Sequence, residues 1–82
     1  MPRQSIIVRA IWDEEAKVWT ATSEDVPGLV TECDTVEGLR AKVTVMAAEL
    51  IHLNGGDFEL PEIPITIFAE QTTRIANPRE HA

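Results

Sequence analysis

Apolar and polar positions alternate in two registers along this chain. Ser5 to Trp12 is a β-branched, apolar run that reads as a strand. Asp13 to Lys17 is polar and fits a short hairpin loop. Val18 to Glu24 alternates, with Val18, Thr20 and Thr22 on one side and Trp19, Ala21 and Ser23 on the other. Asp25, Pro27 and Gly28 break that pattern as a tight turn does. Leu29 to Cys33 is a third, short strand. The period then changes. Val36, Leu39, Val43, Met46, Leu50 and Leu53 recur at spacings of three and four, with Ala47 and Ile51 widening the stripe, which predicts a long amphipathic helix. Asp34 or Thr35 caps it and Glu37 suits its first turn. Asn54-Gly55-Gly56 stops it. Residues 57 to 62 read as loop. Ile63 to Glu70 alternates again, and Pro64 places this strand at an edge or starts it later. Residues 71 to 82 are polar and expected to fray.

The element order β-β-β-α-β predicts an α+β fold with one helix on a three- to four-stranded, mainly antiparallel sheet. A single domain over residues 1–70 and a polar tail over 71–82 are expected. Pairing Trp12 with Trp19 puts Val8, Ala10, Trp12, Trp19, Ala21 and Ser23 on one sheet face. Gly38 in the first helical turn would let the helix start approach the sheet. One helix covers one face, so Ile7, Ile11 and Val18, with Phe68, form an apolar patch on the other. Such a patch on a small domain points to self-association, most simply a homodimer. A half-solvated antiparallel face is the plainer alternative.

Composition refines this picture in one respect. The 82 residues carry a net charge of -7. Nearly all of it falls between residues 13 and 37, where Asp13, Glu14, Glu15, Glu24, Asp25, Glu32, Asp34 and Glu37 face Lys17 alone. Binding nucleic acid directly needs a basic stripe, and the sequence shows none. An acidic surface of Asp13, Glu14, Glu15, Glu24, Asp25 and Glu32 suits a basic protein partner, or simply keeps a small protein in solution. No apolar run of membrane-spanning length is present, nor a leader pattern, so a cytoplasmic location is expected.

Catalytic parts are scarce. Cys33, His52 and His81 do not have the number or spacing of zinc ligands. No phosphate-cradling glycine loop opens a helix. The turn acids Asp13, Glu14 and Glu15, with Glu24 and Asp25, could hold Mg²⁺ for phosphodiester cleavage only if they converge. The residues by themselves therefore predict neither an enzyme nor a cofactor.

Trp12-Asp13-Glu14-Glu15, Val18-Trp19-Thr20-Ala21, Glu24-Asp25-Val26-Pro27-Gly28-Leu29 and Asp34-Thr35-Val36-Glu37-Gly38-Leu39, in that order, resemble the HicB-like antitoxin family. The resemblance covers residues 5 to 54 and, more weakly, the last strand, and is to a short single-domain branch of unassigned function. It implies a partial ribonuclease-H-like fold and a role in binding and inhibiting a small, basic, RNA-cleaving HicA-type toxin. Many such proteins also carry a C-terminal DNA-binding module; residues 71–82 are too few for one. The ribonuclease-H metal carboxylates have no counterparts here, so catalysis is not implied. Two other readings stand beside the antitoxin: an orphan protein that only self-associates, and a metal-dependent nuclease.

Overall fold

The computed structural model describes residues 5–54 and 61–81. Strands β1 (Ile6–Asp13), β2 (Val18–Thr22) and β3 (Val30–Cys33) precede helix α1 (Val36–Asn54), strand β4 (Ile65–Glu70) and a short 3₁₀ turn, Pro78–His81. The fold is α+β, with the helix packed on one four-stranded sheet ordered β3-β2-β1-β4. β1–β2 and β2–β3 are antiparallel, whereas β4 runs parallel to β1. The crossover through α1 thus carries the chain from one sheet edge to the other. β4 begins after Pro64 and forms an edge, so the missing proline N–H leaves no gap; the Pro64 carbonyl instead accepts the Ile6 N–H at 2.9 Å.

The core is the helix-facing side of the sheet. Ile6, Val8 and Ala10 of β1, Ala21 of β2, Leu39, Val43 and Ala47 of α1, and Val26 and Leu29 from the turn between β2 and β3 are buried. Each fully buried Ile, Val or Leu side chain contributes about 1.5–3 kcal/mol. The small Ala10 and Ala21 pair across β1 and β2, beneath the helix. Trp12 pairs with Trp19 in the expected register, and their rings meet edge to face at 5.3 Å and 63°.

Two glycines are needed for different reasons, one for its backbone angle and one for a close approach. In the turn from Val26 to Leu29 the Leu29 N–H bonds the Val26 carbonyl at 3.1 Å, and Gly28 has φ +91°. That left-handed angle after proline is what a type II turn requires, and it inserts Val26 and Leu29 on either side into the core. At Gly38 a Cβ would lie 2.5 Å from Cys33 Sγ and 3.0 Å from Thr35 Oγ1. The helix therefore starts in direct contact with the end of β3. Thr35 is the cap, its hydroxyl accepting the Gly38 N–H at 3.0 Å.

Several expectations change. β2 stops at Thr22, so Ser23 does not continue the helix-facing row; its hydroxyl donates to the Ile7 carbonyl instead, at 2.7 Å. The helical stripe overhangs the sheet at both ends, leaving Val36 and Leu53 exposed. Cys33, at the end of β3, is half-buried. The tail is exposed, but it ends in a 3₁₀ turn where the Arg79 N–H bonds Asn77 Oδ1 at 3.0 Å. The helix ends at Asn54; Gly55, Gly56 and most of the expected 57–62 loop lie outside the described residues.

Candidate interaction surfaces

The strand directions gather charge at one end of the sheet. β1, β3 and β4 are mutually parallel, so their C-terminal ends coincide, and α1 begins there. This rim brings together Asp13, Glu14 and Glu15 of the hairpin loop, Glu32 and Asp34 at the end of β3, Glu37 of the first helical turn and Glu70 of β4. Asp34 and Glu37 come from the acidic 13–37 stretch, whereas Glu70 joins it only through the topology. An open groove at the same end is lined by Ile11, Trp12, Glu14, Glu70 and residues 71–74, including Arg74.

Within the rim, the hairpin loop is held by its own acids. Asp13 Oδ1 accepts the N–H groups of Glu15 and Ala16 at 3.0 and 3.2 Å, and the Lys17 N–H reaches the Asp13 carbonyl at 2.8 Å. Lys17 takes a left-handed φ of 59° that closes the turn. Glu14 Oε2 accepts the Trp12 indole N–H at 2.7 Å and sits 3.1 Å from Lys17 Nζ. The indole hydrogen bond, and then Lys17, hold the Glu14 carboxyl below its ordinary pKa. Lys42 Nζ bonds the backbone carbonyl of Glu32 at 2.9 Å, leaving the Glu32 carboxylate available to an outside partner.

Glu24 and Asp25 lie elsewhere. They follow the C-terminal end of β2, which is the opposite end of the sheet. Five strand residues, roughly 17 Å, separate the two acidic groups. Metal ligation needs oxygens within about 2.6 Å of one ion, so the hairpin acids and the Glu24–Asp25 pair do not share a site. Among the described residues, no three His, Cys, Asp or Glu side chains are grouped to hold a metal. Asp25 instead supports the backbone. Its carboxylate accepts the Ile7 N–H at 2.8 Å, while its own N–H bonds Ser23 Oγ at 3.2 Å.

The sheet face away from the helix is uncovered. Ile7, Ile11 and Phe68 are exposed there and Val18 is half-buried, so all four expected residues share one face. Val30 of β3 belongs with them, opposite Thr22, and is 62% exposed. Strand alternation assigns it to this face once β3 is paired with β2. Arg9, between Ile7 and Ile11, sits over the Phe68 ring at 5.9 Å. No described helix is long and apolar enough to cross a membrane.

Fold and surface together define a small α+β protein with an acidic rim and an open apolar sheet face. The chain belongs to a family described as a domain of unknown function (DUF1902), whose pattern matches residues 5–77. It is similar in structure to the hypothetical protein TTHA1013 from the extremely thermophilic bacterium Thermus thermophilus. The two share 45% identity over 89% of this chain and 99% of that one, with a TM-score of 0.69. No curated protein matches the chain.

Proposed function

We propose that this protein is a non-enzymatic, self-associating interaction module that acts, like the HicB-like antitoxins it resembles, by binding a small basic HicA-type RNA-cleaving toxin. The observation that carries this reading is the acidic rim. Asp13, Glu14, Glu15, Glu32, Asp34, Glu37 and Glu70 converge on one end of the sheet, near Lys17 and Arg74. A rim of one sign speeds encounter with an oppositely charged partner and fixes its orientation. The β-β-β-α-β order and the Pro27-Gly28 and Asp34-Thr35 motifs add support.

The test is capture at low salt from the native cells, followed by titration of the recovered partner. A stoichiometric basic protein is expected, with affinity that falls as salt rises. Glu15→Lys, Glu32→Lys and Asp34→Lys together should weaken binding at least tenfold. Asp25 is left out of that set because it supports the sheet. Unchanged affinity would remove the rim from the mechanism. Recovery of the bait alone would favour an orphan module, the reading that the open sheet face supports.

A further inference from the structure

The chain does not finish as a compact globule. Its radius of gyration is 16.6 Å and its long axis 60 Å. A globule of this length has a radius of about 12 Å, and the 19-residue helix accounts for only about 28 Å of length. The exposed surface is 6416 Å², against roughly 4,900 Å² for a compact monomer of this mass. Residues 71–79 are all exposed, and the segment runs off the C-terminal end of an edge strand. Among the described residues of that segment, Ile75 is the large apolar side chain, and it is 85% exposed. Arg74 and Arg79 flank it, whereas the body of the chain is strongly acidic.

We propose that this C-terminal arm seats on the uncovered sheet face of a second copy of the chain. Ile75 is the anchor, seated beside Ile11 and Phe68, and Arg74 and Arg79 face the acids that border that face. The proposal rests on the self-association part of the function proposed above and names the surface responsible. Charge favours this occupant: Arg74 and Arg79 outnumber Glu80 in the arm, while Glu24, Glu32 and Glu70 border a face whose one central cation, Arg9, is drawn onto the Phe68 ring. Reach permits it: Ile75 lies five residues beyond Glu70, roughly 17 Å of extended chain, and four strands are about 19 Å across. Reciprocal exchange makes the contact isologous, so it closes as a dimer and not as a fibre.

Sedimentation velocity of the full chain tests this. A dimer is expected that weakens with salt. Ile75→Asp, at a position too exposed to affect folding, should raise the dimer dissociation constant at least tenfold. A monomeric full chain would overturn both the arm and the self-association reading. A dimer indifferent to Ile75→Asp would overturn the arm alone. Disulfide trapping in a Cys33→Ala background then locates the seat. Chains carrying Ile75→Cys, mixed with chains carrying Ile11→Cys, should cross-link to each other under mild oxidation. No mixed product, or a disulfide that closes within a chain carrying both substitutions, would show that the arm does not lie on its partner's face.

Discussion

The Asp25 carboxylate accepts the backbone N–H of Ile7 at 2.8 Å, while the Ser23 hydroxyl donates to the Ile7 carbonyl at 2.7 Å. β2 has already turned away at this level, so two side chains replace the ladder bonds that a longer strand would have supplied. An acid that belongs by sequence to a charged stretch belongs by structure to the sheet.

Removing that acceptor leaves the Ile7 N–H without its partner. Asp25→Ala should therefore cost about 1.5–3 kcal/mol in urea denaturation, in the range for a hydrogen bond to a charged group. The adjacent, exposed Glu24→Ala should change stability by less than about 0.5 kcal/mol. Equal effects would mean that the Ile7 contact adds nothing.

Gly28 and Gly38 should fail for different reasons. Gly28→Ala forces a side chain into φ +91°, while its Cβ would meet Leu50 Cδ2 at an ordinary 3.6 Å. The expected loss, about 1 kcal/mol, is backbone strain and should not respond to trimming Leu50. Gly38→Ala meets Cys33 Sγ at 2.5 Å. That clash outweighs the gain in helix propensity, about 1 kcal/mol. Cys33→Ala should rescue much of the loss, a coupling that a double-mutant cycle would measure.

Thr35 closes the first turn of α1 through the Gly38 N–H. Thr35→Ala should destabilise by about 1 kcal/mol, and Thr35→Ser by far less, in thermal unfolding. If Asp34→Ala proved the costlier change, the cap would have been assigned to the wrong residue.

Glu14 should report pH through Trp12. Its folded-state pKa is depressed, first by the indole hydrogen bond and then by Lys17. The associated stabilisation is complete above the ordinary glutamate pKa and disappears as pH falls through the lower, folded value. Trp fluorescence should show a transition below the usual carboxylate range. Glu14→Gln should abolish that transition; its persistence would assign it to another group.

Much of this architecture is legible in the chain because it is local. The alternation of Val18 to Thr22, the Pro27-Gly28 turn and the three-and-four spacing from Leu39 to Leu50 each follow from backbone geometry within a few residues. The Trp12–Trp19 register follows from the length of the hairpin loop between them. The open face with Ile7, Ile11, Val18 and Phe68 is equally legible, since alternation assigns each residue a side and one helix covers one side. Charge is harder to read. The 13–37 stretch looks like one acidic surface, yet β2 carries Glu24 and Asp25 to the far end of the sheet.

The order of elements, the helix cap, the tight turn and the two faces of the sheet are all written in the amino-acid order, because each depends on residues within one turn or one hairpin. The parallel placement of β4 beside β1 is not, since Ile6 meets Ile65 across the whole crossover and needs the helix to get there. That pairing brings Glu70 to the same rim as Glu14 and Asp34, and it directs the arm with Ile75 away from its own core. Long-range strand order, which no local spacing encodes, thus sets where the charge collects and where the chain leaves the sheet.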